Sequence, residues 1–117
     1  MQSVLVVDDD PEVRAALAGA LEEEGLAVRT AANGVEALRC IAVEEPAVVL
    51  LDLQMPGMDG AALLDTLRTA RLTTPVVLMS ADTRCAAVVG RADAYLAKPF
   101  ELNQLYDTVA QFTQQEA

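Results

Sequence analysis

The chain has 117 residues, 53% of them hydrophobic, and a formal net charge of −10 at pH 7. This length suits a single domain with one hydrophobic core, and the apolar fraction excludes a disordered polar chain. The negative charge argues against nucleic acid or an anionic membrane surface as a partner and favours cationic partners. No apolar run approaches membrane-spanning length and the N-terminus has no secretion signal, so we expect a cytoplasmic protein.

Five short apolar runs predict the strands of a sheet. They are SVLVV at 3–7, LAVRTA at 26–31, AVVLL at 47–51, PVVLM at 75–79 and AYLA at 94–97. The first, third and fourth runs are continuously apolar, which is typical of strands covered by helices on both faces. The second run includes Arg29 and Thr30, which favours an edge strand.

Start and stop signals predict helices between these runs. Asp10 followed by Pro11 is a typical N-cap and first-turn pair, and Gly25 ends this first helix. We assign Asp10 no further role. The other predicted helices start at Asn33, Asp59 and Phe100, and the second one ends at Pro46.

The apolar spacing within the helices predicts which side chains face the core. One apolar stripe on the first helix consists of Val13, Leu17 and Leu21, and one face of the second carries Val35, Leu38 and Ile41. The third helix is expected to face inward with Leu63, Leu64 and Leu67, and the last to bury Leu102, Leu105, Val109 and Phe112. Strands that alternate with helices indicate an α/β fold with a parallel sheet and helices on both faces. We expect one domain over residues 1–117, with no effector domain.

Polar side chains follow four of the five predicted strands. Asp8 and Asp9 come after the first strand, Asp52 after the third, Ser80 after the fourth and Lys98 after the fifth. Because the carboxyl ends of parallel strands meet at one edge of the sheet, we expect these side chains to converge there.

The converging groups have complementary chemistry. Three carboxylates at one point repel one another unless a cation lies between them, and oxygen ligands suit Mg²⁺, with Mn²⁺ as the alternative. Mg²⁺ tends to keep water ligands, which leaves room for a phosphoryl oxygen, and an amine and a hydroxyl would bind the other phosphoryl oxygens. Asp52 is the candidate nucleophile because it alone follows the central strand, between the other groups.

Each of these residues, taken alone, has an ordinary structural explanation. Asp8 and Asp9 could form a solvated turn, Ser80 could cap a turn or helix, and Lys98 could be a solvated surface charge. Tyr95 could be a core or edge aromatic. Only their joint placement at the strand ends favours a functional site.

Four ordered motifs, VVDDD, LLDLQMPGMDG, VVLMSA and YLAKPF, resemble those of bacterial response-regulator receiver domains. The resemblance covers essentially the whole chain. It implies a flavodoxin-like, doubly wound five-stranded parallel sheet in the order 2-1-3-4-5. It also implies a phosphoacceptor domain of a two-component or phosphorelay system, which receives its phosphoryl group from a histidine kinase or a histidine phosphotransfer protein.

The resemblance also implies roles for individual residues. Asp52 corresponds to the phosphoacceptor, and Asp9 and Asp52 to direct Mg²⁺ ligands, with Asp8 acting largely through water. The backbone carbonyl of Gln54 corresponds to a further ligand.

Three further residues match groups that act on the phosphoryl group or respond to it. Lys98 corresponds to the residue that contacts the phosphoryl group, and Ser80 to the hydroxyl that moves inward to bind it. Tyr95 corresponds to the aromatic that changes rotamer with that hydroxyl, and the bond from Lys98 to Pro99 resembles a cis peptide of the family.

One departure from the family concerns the segment between Ser80 and Lys98. This segment is shorter than usual by about one helical turn, roughly four residues. We therefore expect the fourth helix to be short, distorted or partly unwound, with Gly90 inside the remaining stretch. In the family this helix belongs to the face that changes on phosphorylation and docks partners.

The resulting expectation is a switch that promotes its own phosphorylation and dephosphorylation, controls an unidentified protein partner and is a monomer or weak dimer. The alternative is a pseudo-receiver that binds partners without phosphorylation. A haloacid-dehalogenase-type phosphohydrolase is disfavoured because Gln54 stands where its second acid is needed. A flavin-binding flavodoxin is disfavoured because Asp8, Asp9 and Asp10 would repel the flavin phosphate.

Overall fold

The structure, a computed structural model, describes residues 3–52, 60–70, 73–80 and 92–113, and these residues form five strands and four helices. In chain order they are β1 (Ser3–Val7), α1 (Pro11–Glu23), β2 (Ala27–Ala31), α2 (Gly34–Val43), β3 (Val48–Asp52), α3 (Gly60–Thr69), β4 (Val76–Ser80), β5 (Ala94–Ala97) and α4 (Leu102–Thr113). Each predicted strand is found with limits that differ by at most one residue. The predicted fourth helix falls on residues 81–91, which lie outside the described residues.

The strands form one parallel sheet in the order β2-β1-β3-β4-β5. This is the predicted flavodoxin-like order, and β2 is the edge strand that its polar residues indicated. The chain leaves β1 toward one side of the sheet and returns as β3 on the other side. In folds of this type, the crevice at such a reversal, beyond the carboxyl ends of the strands, is where ligands bind.

Two hydrophobic clusters cover the two faces of the sheet. Alternate residues of each strand point to opposite faces, so Leu5 and Val7 enter one cluster while Val4 and Val6 enter the other. Helices α2 and α3 cover the first face and α1 and α4 the second. Both faces are therefore apolar, which explains the continuous apolar runs of the inner strands.

The burial of the helices agrees with the apolar spacing except near two helix starts. Leu63, Leu64 and Leu67 are fully buried as predicted. The prediction that Leu102 is buried is wrong, since it is 54% exposed, and Val35 is 50% exposed. Leu102 lies in the first turn of α4, and spacing gives a residue's angle around the helix axis but not its position along that axis. Val35 points away from the side of α2 on which Ala37 and Ile41 are buried.

The predicted capping signals are found at both ends of α1. Asp10 is the N-cap of α1, where its carboxylate accepts a hydrogen bond of 2.9 Å from the Glu12 amide. Gly25 has a φ of +85°, which glycine adopts without steric cost, and the chain turns there from α1 into β2. The Lys98–Pro99 peptide is cis, as the family resemblance implied. None of the helices in the described ranges is long and apolar enough to cross a membrane.

Candidate functional site

Three carboxylates converge at the carboxyl edge of the sheet, as predicted. Asp8 and Asp9 directly follow β1, and Asp52 is the last residue of the neighbouring strand β3. One carboxylate oxygen from each lies within 4.8 Å of the other two. We call these three residues the acidic cluster.

The members of the acidic cluster differ in burial. Asp8 and Asp52 are 1% and 6% exposed, whereas Asp9 is exposed. Two carboxylates therefore form the floor of the site and one forms its rim. Buried charges are costly unless they are paired, hydrogen-bonded or bound to a metal ion, so this floor requires positive charge.

Lys98 supplies part of that positive charge. Its Nζ atom lies 3.6 Å from Asp52 Oδ1 and 3.7 Å from Asp8 Oδ2. The turn after β5 brings it there, and its backbone amide donates a hydrogen bond of 2.9 Å to the carbonyl of Ser80. Within the described part of the chain, this one ammonium group faces three carboxylates.

One oxygen of Asp8 fits a metal ligand. Asp8 Oδ1 accepts a hydrogen bond of 2.9 Å from the Asp10 amide. Asp8 Oδ2 is buried and accepts no hydrogen bond from any residue in the described ranges, and the Lys98 ammonium, 3.7 Å away, is its positively charged neighbour there. A buried oxygen without a donor, beside two further carboxylates, fits a hard cation such as Mg²⁺.

A hydrogen bond from the Tyr95 side chain to the Ser80 backbone links these two residues at the same edge of the sheet. Ser80 ends β4 and is 1% exposed, and the register pairs Asp52 with Met79, the residue before it. The Tyr95 hydroxyl donates a hydrogen bond of 2.9 Å to the Ser80 carbonyl, and its ring packs against the cluster under α2 and α3. The proposed switching roles of both residues stay predictions.

Gln54 lies in 53–59, outside the described residues, so its role as a carbonyl ligand stays a prediction. Conversely, no pattern in the sequence pointed to Arg14, whose Nη1 atom donates a hydrogen bond of 2.8 Å to the Asp8 carbonyl. The signal available was its place on α1, one turn after the N-cap Asp10 and so facing the Asp8–Asp9 turn.

Repulsion within the acidic cluster leads to a prediction about stability in the absence of divalent cations. We expect Asp9→Asn to raise the melting temperature in EDTA by about 4 °C, since removal of one like charge at this spacing relieves about 1 kcal/mol. Thermal unfolding followed by circular dichroism measures this. Asp107→Asn, at an exposed position of α4, is the matched control and should leave the melting temperature unchanged. If Asp9→Asn melted below the parent in EDTA, the carboxylates would not be in repulsion.

Comparison with known proteins identifies the family. The family model of the response regulator receiver domain matches residues 4–110. The chain belongs to the response regulator receiver domain family. It is therefore a receiver domain of the type found in two-component response regulators, which confirms the resemblance seen in the four motifs.

Full-length regulators are among the relatives of this receiver domain. It is 41% identical, over 107 residues, to the transcriptional regulatory protein TcrA of Mycobacterium tuberculosis strain H37Rv. The match covers 88% of this chain and 42% of TcrA. The chain thus spans less than half the length of this relative.

Solved receiver structures share the whole fold. The receiver domain of the Francisella response regulator 1452 superimposes with a TM-score of 0.90 and 33% identity, covering 97% of this chain and 98% of that one. The response regulator TrrA of Thermotoga maritima, solved in complex with Mg²⁺-BeF, gives a TM-score of 0.88 at 32% identity, covering 96% and 99%. These similarities confirm the flavodoxin-like receiver fold.

Proposed function

We propose that this receiver domain accepts a phosphoryl group on Asp52 in a Mg²⁺-dependent reaction and thereby controls a protein partner. The observation that carries the proposal is the approach of three carboxylate oxygens to within 4.8 Å of one another beside a lysine ammonium. The Mg²⁺-BeF complex of TrrA, a structural neighbour, supports it further. The phosphodonor would be a histidine kinase or a histidine phosphotransfer protein.

In this proposal the acidic cluster supplies both the nucleophile, Asp52, and ligands for the cation. An oxygen of Asp52 attacks the phosphorus, the P–N bond to the donor imidazole breaks, and an acyl phosphate forms. Asp8, Asp9, Asp52 and the Gln54 carbonyl would hold Mg²⁺, or Mn²⁺ in its place. The cation, when bound, supplies neutralisation of the charge on the phosphoryl oxygens. The domain in this way promotes its own phosphorylation without turning over a separate substrate.

Lys98 and Ser80 would bind the phosphoryl oxygens that the cation does not. The Lys98 ammonium is 3.6 Å from Asp52 Oδ1, close enough to move from the carboxylate to a phosphoryl group attached there. Ser80 ends the neighbouring strand β4. The hydrogen bond from Tyr95 to the Ser80 carbonyl would transmit a shift of this strand end to the aromatic ring.

An apolar surface next to the site suits the phosphodonor protein. A depression of about 410 Å³ is lined by Val13, Lys98, Pro99 and Phe100. It lies where α1 approaches the turn after β5, and Lys98 belongs both to this depression and to the acidic cluster's surroundings. A donor that must bring its phosphohistidine to Asp52 would cover this surface.

Incubation with acetyl phosphate tests the proposal without a cognate kinase. We expect intact-mass analysis to find one phosphoryl adduct in the presence of Mg²⁺ and none in EDTA, because the cation is needed to offset the charges of donor and acceptor. A second receiver domain, labelled in parallel, controls for the donor. Absence of an adduct on this chain while the control is labelled would contradict the proposal.

The alternative function is a pseudo-receiver that binds partners without phosphorylation. Such a protein has no need for three converging carboxylates, which cost stability when no cation is bound. The acidic cluster therefore argues against it. The cytoplasmic location, the oligomeric state and the extent of a single domain over residues 1–117 stay predictions.

A further inference from the structure

Three hydrogen bonds hold the turn that carries Asp8 and Asp9. The Asp8 amide donates to the Ala31 carbonyl at 3.2 Å, which extends the pairing of β1 with β2. The Asp10 amide donates to Asp8 Oδ1 at 2.9 Å. The guanidinium of Arg14 donates to the Asp8 carbonyl at 2.8 Å. The first two bonds fix the amide and the side chain of Asp8, and the third fixes the peptide unit that joins Asp8 to Asp9.

The orientation of Asp9 depends on this third bond. Asp9 is exposed, and within the described ranges its carboxylate accepts no hydrogen bond that would orient it. Its oxygen nevertheless lies within 4.8 Å of those of Asp8 and Asp52. The plane of the preceding peptide unit sets the direction in which its side chain leaves the backbone, and Arg14 holds that plane from helix α1.

In the described part of the chain, Arg14 binds a backbone carbonyl and not the carboxylates of the acidic cluster, which leaves those carboxylates accessible to a cation. Its guanidinium binds a carbonyl, and among the described residues it forms no ion pair with the acidic cluster. An arginine that formed bidentate ion pairs with those carboxylates would compete with a metal ion for the same oxygens. Arg14 thus orders the turn while it leaves the carboxylates accessible.

We propose that Arg14 is a positioning residue of the cation site, which holds the Asp8–Asp9 peptide so that the Asp9 carboxylate faces Asp8 and Asp52 before the cation binds. This inference rests on the proposed function. Groups that orient metal ligands typically change metal affinity by about 10–100-fold when they are removed. Preorganisation of this kind lowers the cost of ordering a ligand when the ion arrives.

The test is calorimetric titration with Mg²⁺ alone, without a phosphodonor. We expect Arg14→Met, which keeps much of the apolar stem and loses the donors, to weaken Mg²⁺ binding about tenfold. Arg14→Lys, which keeps the charge and one donor group, should recover part of the loss. Phosphorylation of Arg14→Met by acetyl phosphate should approach the parental rate at saturating Mg²⁺, since the acceptor itself is intact.

Arg29→Met is the matched control. The Arg29 guanidinium also donates to backbone carbonyls, those of Cys40 at 2.7 Å and Glu44 at 2.5 Å, but it does so at the end of α2. This variant should lose stability and keep the parental Mg²⁺ affinity, which separates positioning from a general loss of structure.

The direction of the change in Mg²⁺ affinity decides the inference. Removal of a positive charge near carboxylates should by itself tighten the binding of a cation, so weaker binding by Arg14→Met requires positioning. Unchanged or tighter binding by Arg14→Met, or equal weakening by Arg29→Met, would overturn the inference and leave the proposed function standing. Failure of the parent to bind Mg²⁺ would instead overturn the proposed function itself.

Discussion

Asp52→Asn should accept no phosphoryl group from acetyl phosphate, with a labelling rate at least about 1,000-fold below that of the parent. An amide of the same shape fills the end of β3 but is not a nucleophile at neutral pH, so no acyl phosphate forms. Asp52 is nearly buried at this position, and the isosteric replacement keeps the packing of the strand end. Intact-mass analysis over a time course in saturating Mg²⁺ measures the rate.

Two further variants distinguish the acceptor from the cation ligands. Asp9→Asn should label slowly at low Mg²⁺ and recover as Mg²⁺ is raised, because it weakens cation binding and leaves the acceptor in place. Asp107→Asn, on the exposed face of α4, should label like the parent. A persistent adduct on Asp52→Asn would assign the acceptor role to another carboxylate, and the proposed mechanism would be wrong.

The sheet could be predicted from the sequence because its inner strands are buried on both faces. Continuous apolar runs of about five residues are short for buried helices and here are rich in valine, so length and composition together indicate strands. The starts of two helices could be predicted from N-cap residues, Asp10 before α1 and Asn33 before α2. The structure places both residues at the N-cap. The parallel arrangement then followed from the alternation of strands and helices.

The periodicity of a helix gives less information about its ends. Leu102 lies three residues before Leu105 and so on nearly the same side of α4, yet Leu105 is fully buried and Leu102 is not. The angle around the axis was right, but the position along the axis, at the first turn, decides exposure. The segments 53–59 and 81–91, which include Gln54 and the predicted short fourth helix, lie outside the described residues.

The carboxylates and the lysine of the site could be predicted, whereas the hydrogen bonds from side chains to backbone carbonyls could not. Asp8 and Asp9 directly follow β1 and Asp52 ends β3, so the topology alone brings them together. Arg14 and Tyr95 bind backbone carbonyls, those of Asp8 and Ser80. Every residue has a backbone carbonyl, so the residue type does not show which carbonyl accepts a hydrogen bond from a given side chain.

The composition of the chain supports a particular role for Lys98. It is the only lysine in the sequence, and the other seven basic residues are arginines. Arginine presents a rigid fork that binds a carboxylate at two points, whereas lysine is a compact charge on a flexible stem with three donors. In the proposed reaction, the cation at this position must move from the Asp52 carboxylate to the phosphoryl group attached to it, and the flexible stem of lysine allows that movement.

Lys98→Met should lower the labelling rate by acetyl phosphate about 100-fold at saturating Mg²⁺, which is the usual cost of removing one donor aimed at a charged transition state. Its affinity for Mg²⁺ should not fall, and should rise slightly, because a competing cation 3.6 Å from Asp52 has been removed. In EDTA it should melt below the parent, since the ammonium near Asp8 and Asp52 no longer offsets their charges. Intact-mass kinetics, calorimetry and thermal unfolding measure the three quantities.

Two control variants separate the position of the ammonium from its charge. Arg39→Met removes one positive charge from the exposed face of α2 and should leave all three measurements unchanged. Lys98→Arg keeps the charge and should still label more slowly than the parent, because its fork holds the carboxylates in the ground state. If Lys98→Met were labelled at the parental rate, Lys98 would not bind the phosphoryl group. A donor that acts on the phosphoryl group alone changes the labelling rate and not the Mg²⁺ affinity. If Lys98→Met lost as much Mg²⁺ affinity as labelling rate, the lysine would instead organise the cation site.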